Sequence, residues 1–219
     1  MTAGLAHDLN KPLSSIQSLA FACQQRLSGE RSGDEALSEN LEEIRNQADR
    51  ARRIIQRVRL FIRNAAPRRV ENPINQLVDE AIRLSESDPA LEGITVEAAL
   101  DLAGPVVVVD GTLIEQVILN LMRNAGEALQ TSDIPERRVV LETRYVPGRG
   151  VEVAVSDNGP GMPPGVARDA FQPFFSTKEE GLGMGLTICR SIIEAHGGTI
   201  TAESNPSGGT TFRFVVPAS

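Results

Sequence analysis

Two asparagines in the middle of the chain carry the residue type that binds a phosphate-bound cation. Asn120 and Asn124 are one turn apart on a predicted helix, so their amides share one face of that helix. Amide oxygens can hold Mg²⁺, which prefers oxygen ligands and keeps several waters while it also binds nucleotide phosphates. Alone, such a pair is more often a surface or capping feature.

A carboxylate stands at the end of an apolar strand, in the segment Asp157 to Gly161. At that place it can accept a hydrogen bond from an exocyclic amine such as that of adenine. Gly159 and Gly161 let a base approach the backbone because they have no side chain. The segment therefore indicates a nucleobase site at Asp157.

A glycine repeat, Gly181 to Leu186, runs directly into another predicted helix. The free N–H groups and the positive end of the helix dipole at such an N-terminus attract phosphates. A repeat of this kind is weak evidence by itself. It gains weight because Asn120 and Asn124 (the amide pair) and the segment Asp157 to Gly161 (the Asp157 turn) precede it in the same chain.

His7 is the candidate reactive side chain near the start, although a lone His on a predicted helix is usually a bystander. It directly follows Ala6, which lies on the apolar stripe (the seam) of the predicted helix. The side chain of His7 is therefore expected on the flank of this seam and half exposed. Pro12 should bend the helix one turn past His7. The other histidine, His196, lies where a helix ends before two glycines, which favours a structural C-terminal cap.

Two apolar seams predict a helical hairpin over residues 1–66. Alternating spacings of about three and four residues are typical of coiled-coil helices. The first seam is Leu9, Leu13, Ile16, Ala20, Cys23 and Leu27, and the second is Leu37, Leu41, Ile44, Ala48, Ala51, Ile55, Val58 and Ile62. One hairpin leaves apolar surface uncovered, so two hairpins are expected to form a four-helix bundle in a homodimer. The alternative is that the hairpin packs on the rest of its own chain.

The second helix of the hairpin also carries a run of arginines. They are Arg45, Arg50, Arg52, Arg53, Arg57, Arg59 and Arg63. Such a run is compatible with a solvated face, and it also suits the docking of an acidic partner.

A second domain is predicted over residues 73–219, after a polar linker at 67–72 that is bracketed by Pro67 and Pro73. Helices are expected at 73–87, 112–130 and 184–196. Strands are expected at 94–100, 106–109, 138–146, 151–156, 199–204 and 210–216. Together they predict helices packed on a mostly antiparallel mixed sheet in two layers, so the fold class of the whole chain is α+β.

Composition narrows the class of protein. The chain has 219 residues and a net charge of -7, which argues against a general nucleic-acid binder. Cys23 and Cys189 lie in apolar helical patterns and are expected to be reduced core residues of a cytoplasmic protein. The longest aliphatic run, Val106 to Val109, is too short to span a bilayer, so no membrane segment is expected in this chain.

The motifs follow one order that resembles a known family. The amide pair, the Asp157 turn, Phe171 to Lys178, the glycine repeat and Ser207 to Thr211 resemble the N, G1, F, G2 and G3 boxes of the Bergerat-type ATP-binding domain of sensor histidine kinases. The segment His7 to Pro12 resembles the phosphoacceptor box in the dimerisation hairpin of that family. The resemblance covers nearly the whole chain.

The resemblance implies roles for individual residues of the nucleotide site. Asn124 and Asn120 would bind Mg²⁺ and phosphate, Asp157 would recognise the adenine amino group, and Thr210 would support the base. Other expected ATP contacts are Arg123, Gly159, Gly161, Lys178, Gly181, Gly183, Met184, Gly185 and Leu186. A mobile lid is expected from about Pro160 to Gly183, anchored by Phe174 and Phe175.

The resemblance also implies a reaction, ATP-dependent phosphorylation of His7 followed by transfer to an Asp of a response-regulator receiver domain. The neutral imidazole of His7 would attack the γ-phosphorus in line. Asp8 could accept from the other ring N–H and fix the tautomer. Otherwise Asp8 is a solvent-exposed helix charge. Few residues precede His7, so an upstream sensor is expected to be missing.

Two other interpretations remain. Related ATP-hydrolysing enzymes, such as heat-shock chaperones, type II topoisomerases and mismatch-repair ATPases, carry a Glu one turn before the Mg-binding Asn, whereas this chain has Asn120. A non-catalytic dimeric adaptor is the second alternative. The sequence also departs from the family at Lys11, where many members have a Thr or Asn that orients water for dephosphorylating a receiver.

Overall fold

The computed structural model describes residues 14–23, 39–45, 47–48, 68–163, 165–173, 175 and 184–218. The chain divides into two compact units, Met1–Asn64 and Ala65–Ser219. In the first unit, residues 14–23, 39–45 and 47–48 are helical, at positions where the two seams predict helices. His7, Asp8 and Lys11 lie outside the described residues. The hairpin as a whole and its dimer therefore stay predictions.

The second unit alternates strands and helices in the order that the sequence predicts. Its elements are β1 (Val70–Pro73), α1 (Ile74–Ser85), a short 3-10 helix (Pro89–Leu91), β2 (Thr95–Ala99), β3 (Val106–Val109), α2 (Gly111–Gln130), β4 (Arg138–Val146), β5 (Gly150–Asp157), α3 (Val166–Asp169), α4 (Gly185–Ala195), β6 (Thr199–Ser204) and β7 (Thr210–Val216). β1 was not predicted; it begins inside the predicted linker and pairs antiparallel with β3. The 3-10 helix and α3 were also not predicted.

Five strands form the main sheet, in the order β2-β4-β5-β7-β6. The pair β2–β4 is parallel and the other three pairs are antiparallel, so the mixed, mostly antiparallel sheet is confirmed. In β4, Val139 and Leu141 are buried while Glu142 and Arg144 are exposed. This alternation means that helices cover one face of the sheet. With the helical N-terminal region, the fold class is α+β, as predicted.

The long helix α2 is the central helix of this layer, in contact with α1, α4 and β5. Its N-cap is Asp110, whose side chain accepts a hydrogen bond from the backbone N–H of Leu113. Its buried face repeats with the helical period: Ile114, Val117, Ile118, Leu121, Met122, Ala125 and Leu129. Asn120 and Asn124 lie beside this face and are half-buried.

His196 joins the C-terminal end of α4 to the N-terminal end of α2. Its Nε2 accepts from the backbone N–H of Asp110 at 3.0 Å, and its Nδ1 lies 2.7 Å from the carbonyl oxygen of Ile192. The ring is therefore the neutral tautomer with its proton on Nδ1, which donates to Ile192. The structural role predicted for His196 is confirmed, and α2 and α4 run antiparallel from this junction.

Among the described residues, no helix combines the length and the apolar character that crossing a membrane requires. α2 is 20 residues long, but its polar stripe includes the two asparagines and the Arg123–Glu127 pair.

Candidate functional site

Asp157, the last residue of β5, presents one free carboxylate oxygen. Its Oδ1 accepts from the backbone N–H groups of Gly159 at 2.8 Å and Thr210 at 3.1 Å. Oδ2 has no hydrogen bond within the described part of the chain. In that part, every side-chain oxygen or nitrogen that is fully shielded from solvent has a hydrogen-bond partner, so Oδ2 is not fully shielded. Oδ2 is therefore open to a ligand although the residue is only 6% exposed. This is the geometry expected for an acceptor of an exocyclic amine.

Burial governs the charge of this carboxyl group. Loss of solvent raises the pKa of Asp157, and the N–H groups of Gly159 and Thr210 oppose that rise. The two N–H donors stabilise the negative charge on Oδ1. A ligand N–H on Oδ2 would stabilise it further, so ligand binding and ionisation of Asp157 should favour each other.

Glycines allow the Asp157 turn and the loop before β7 to touch through their backbones. Gly161 has φ +77° and Gly209 has φ +90°, a region that side chains rarely adopt. A Cβ on Gly209 would lie 1.9 Å from the carbonyl oxygen of Asp157, and one on Gly159 would lie 2.8 Å from Oδ1. Gly209 belongs to the motif Ser207 to Thr211, and this contact gives it a structural role that the sequence alone does not indicate.

Replacing Gly209 with Ala is expected to lower the free energy of unfolding by about 3 kcal/mol or more, because Cβ must displace the backbone of Asp157. Gly208→Ala is the matched control. Gly208 has a similar φ of +92°, but a Cβ there would meet its nearest atom, the carbonyl oxygen of Gly159, only at 3.4 Å. The control should lose about 1–2 kcal/mol from backbone strain alone. Urea denaturation measures both; equal losses would contradict the proposed contact.

Two polar side chains outside the set of predicted site residues hold the turn in place. Asn158 accepts from the backbone N–H of Arg138 at 2.8 Å and donates to the carbonyl oxygen of Glu136 at 2.6 Å. The hydroxyl of Ser204 bonds both the N–H and the carbonyl oxygen of Met162, at 2.9 and 3.0 Å. The available signal for Asn158 was its position directly after the acidic residue at the strand end.

Asn120, the first residue of the amide pair, lies against the first turns of α4. Nδ2 of Asn120 donates to Sγ of Cys189 at 3.2 Å, and a Cβ on Gly185 would lie 3.1 Å from Oδ1 of Asn120. Asn124 has no hydrogen-bond partner in the described parts of the chain, so its amide is available to a ligand. The structure thus brings Asn120 of the predicted amide pair together with the helix start that follows the glycine repeat.

The rest of the predicted phosphate site is described in part. Met184, Gly185 and Leu186 form the N-cap and first residues of α4 and are half-buried. Lys178, Gly181, Gly183 and Phe174 lie outside the described residues, so their roles stay predictions.

The guanidinium of Arg123, a predicted phosphate contact, is already paired with a carboxylate of this chain. Its Nε donates to Oε1 of Glu127 at 3.2 Å, one turn further along α2. Both side chains keep about a third of their surface exposed, at 31% and 37%. A phosphate would have to use the remaining N–H groups of the guanidinium.

Helix α2 connects the two halves of the site. Asn120 lies beside Gly185, and Cδ2 of Leu129 would be 3.6 Å from a Cβ on Gly159 in the Asp157 turn. At a rise of about 1.5 Å per residue, these positions on α2 are about 13 Å apart along the helix, a distance that a nucleoside triphosphate can bridge. The donor set fits a nucleotide with its base at Asp157 and its phosphates at the amide pair.

Comparison with known protein families decides what kind of nucleotide site this is. The model of the "Histidine kinase-, DNA gyrase B-, and HSP90-like ATPase" family matches residues 109–219, half of the chain. The model of the "His Kinase A (phospho-acceptor) domain" matches residues 1–67. The chain belongs to the sensor histidine kinases. The ATPase model supports ATP as the nucleotide of this chain.

Individual relatives agree with this membership. The chain is 40% identical over 220 residues to the sensor protein FixL of Bradyrhizobium diazoefficiens, covering 100% of this chain and 43% of FixL. It resembles the catalytic domain of histidine kinase ThkA with a TM-score of 0.60 and 33% identity, over 68% of this chain and 95% of that one. It also resembles ThkA in complex with the response regulator protein TrrA, with a TM-score of 0.75 and 28% identity, over 100% of this chain and 61% of that one. The chain thus spans less than half the length of FixL.

Proposed function

We propose that this chain is a protein-histidine kinase, which transfers the γ-phosphoryl group of ATP to His7 and then to an Asp of a response-regulator receiver domain. The observation that carries the proposal is the open Oδ2 of Asp157, a base-recognition group in the same chain as a phosphoacceptor match that includes His7. A nucleotide site without an acceptor segment would favour hydrolysis or simple binding.

Different residues of the second unit bind the base and the phosphates of the nucleotide. Oδ2 of Asp157 accepts from the adenine amino group, Gly159 and Gly161 shape the base pocket, and the hydroxyl of Thr210 supports the base. Asn120 and Asn124 hold the phosphates together with Mg²⁺, which when bound offsets negative charge on the phosphate oxygens. The remaining phosphate contacts are the Arg123 and Lys178 side chains and backbone N–H groups of Gly181, Gly183, Met184, Gly185 and Leu186.

The proposed chemistry is two successive phosphoryl transfers. A ring nitrogen of neutral His7 attacks the γ-phosphorus; the N–P bond forms as the P–O bond to ADP breaks, and ADP leaves with that electron pair. Asp8 accepts from the other ring N–H and stabilises the positive charge that the ring acquires. In the second transfer the N–P bond breaks, a carboxylate oxygen of the receiver bonds the phosphorus, and His7 returns to its neutral form.

The partners follow from the same proposal. Leu41 of the second seam is 54% exposed in the single chain, which supports a homodimer that covers it in a four-helix bundle. The Arg-rich second helix suits an acidic receiver surface. A cytoplasmic location of the catalytic part accords with the use of ATP.

Incubation with γ-labelled ATP and Mg²⁺ tests the function directly. The kinase should acquire a label that is stable in base and labile in acid, as expected for a phosphoramidate, and should pass the label to a receiver domain. Release of free phosphate without a labelled chain would instead support an ATP-hydrolysing relative. Nucleotide binding without label or hydrolysis would support a dimeric adaptor.

Lys11 concerns the reverse activity, dephosphorylation of the receiver. Its ammonium cannot orient an attacking water as a Thr hydroxyl does, and it can stabilise phosphorylated His7 by its charge. Lys11→Thr is therefore expected to raise dephosphorylation of a phosphorylated receiver several-fold and to shorten the lifetime of labelled His7. Phosphate release from the receiver measures the first effect, and unchanged or lower release in the variant would refute it.

A further inference from the structure

The amide of Asn120 is held in one of its two possible orientations. Its Nδ2 donates to Sγ of Cys189 at 3.2 Å, across the interface between α2 and α4. A half-turn of the amide would place the carbonyl oxygen on the sulfur and the NH₂ group where Oδ1 now lies. Because only the oxygen can ligate a cation, the two orientations are not equivalent for a phosphate-bound metal.

The thiol of Cys189 has the hydrogen-bonding capacity to select one orientation. Its side chain is 1% exposed, and Sγ lies 4.0 Å from the carbonyl oxygen of Val117, toward which its S–H points. With its proton directed at Val117, the sulfur offers lone pairs to Asn120. It therefore accepts from Nδ2 more readily than it can donate to Oδ1.

We propose that Cys189 is a positioning residue for the nucleotide site, which accepts from Nδ2 of Asn120 and so keeps Oδ1 turned toward the phosphates and Mg²⁺. The inference rests on the proposed role of Asn120 in the kinase. Groups behind a metal-binding side chain typically change metal affinity by 10–100-fold when they are removed, because they fix the orientation of the ligand. Sulfur is a weak acceptor, so the effect of Cys189 should lie at the low end of that range.

A set of four single variants of the full chain separates positioning from packing. Cys189→Ser keeps an acceptor and a donor, and Cys189→Val fills the space without an acceptor. Cys189→Ala removes the acceptor and also leaves the space unfilled. Asn120→Ala removes the amide itself. Thermal unfolding of each variant shows whether it is folded and how much stability it has lost.

The measurement is the dissociation constant of a fluorescent ATP analogue, with and without Mg²⁺. Mg²⁺ should tighten binding to the original chain, and Cys189→Val should lower that enhancement about 10-fold, as should Cys189→Ala if it folds. Cys189→Ser should retain most of the enhancement. In an Asn120→Ala background, replacing Cys189 should have no further effect on it, because the two residues act through one amide.

Each other outcome overturns the inference. If Cys189→Val or Cys189→Ala leaves the Mg²⁺ enhancement unchanged while Asn120→Ala reduces it, Cys189 does not position the amide, and the proposed site stands. If Cys189→Ser and Cys189→Val lower the enhancement equally, or if their effects add to that of Asn120→Ala, Cys189 acts only through packing. If Asn120→Ala leaves the enhancement unchanged, the role of Asn120 and the inference both fail. Labelling of His7 with γ-labelled ATP then tests the proposed kinase function separately.

Discussion

Asp157→Asn is expected to lower the affinity of the chain for ATP by about 100-fold. The Asn carbonyl oxygen would still accept from Gly159 and Thr210, whose N–H groups now bond Oδ1. Its NH₂ group would then occupy the place of Oδ2 and face the amino group of adenine, donor against donor. Loss of a hydrogen bond to a charged acceptor, with an unpaired donor left behind, costs roughly 3 kcal/mol, which is about 100-fold in affinity.

Comparison of ATP with inosine triphosphate makes this prediction specific. The hypoxanthine base has a carbonyl oxygen in place of the amino group, so the Asn NH₂ group could donate to it. The preference for ATP over the inosine nucleotide should therefore fall or reverse in the variant. Asp133→Asn, which makes the same change of charge at an exposed position, is the matched control and should behave as the original chain. Equal losses for both nucleotides would contradict base recognition by Asp157.

The pKa of Asp157 predicts how this binding depends on pH. Burial raises that pKa in the folded chain, so protonation sets in at a higher pH than for an ordinary Asp. As the pH falls through the raised pKa, Oδ2 gains a proton, and the affinity for ATP should fall. The contribution to stability has the opposite direction: it favours folding at low pH and is lost as the pH rises through the raised pKa. Asp157→Asn should remove both dependences and fold at least as stably, which denaturation at several pH values measures.

His7→Gln is expected to abolish the acid-labile label, a loss limited only by the background of the assay. Glutamine is close to histidine in size and is tolerated in helices, but its amide is not a nucleophile toward phosphorus. The affinity for ATP should be unchanged, since the proposed nucleotide contacts all lie in the second unit. Labelling with γ-labelled ATP, alongside titration with a fluorescent analogue, measures both quantities.

Label retained in the His7→Gln chain would show that another residue is the acceptor. His196 is not available for that role, because its ring is buried and both nitrogens are engaged by Asp110 and Ile192. Mixing His7→Gln with Asp157→Asn chains adds information on the dimer. At an ATP concentration too low to label the Asp157→Asn chain by itself, label on that chain in the mixture would mean that one subunit phosphorylates its partner.

Local patterns in the sequence determined most of the second unit. The alternation in β4 and the helical period of α2 each depend on which face of one element is buried. The spacing of apolar residues within that element is enough to show the buried face. The same holds for Asp157, since a carboxylate at a strand end followed by glycines already limits what can approach it. Membership of the sensor histidine kinases also followed from the order of the motifs, and the family models confirmed it.

Contacts between distant segments were decided only by the tertiary structure. The bond from Asn120 to Cys189 joins residues 69 positions apart, and the bond from Asp110 to His196 joins residues 86 apart. Which oxygen of Asp157 stays free depends on Thr210, 53 positions away in sequence. No local period encodes such pairs, because they arise from the antiparallel packing of two helices and the pairing of two strands. The sequence alone thus names the groups that carry the chemistry, while the fold decides which atoms of those groups face the ligand.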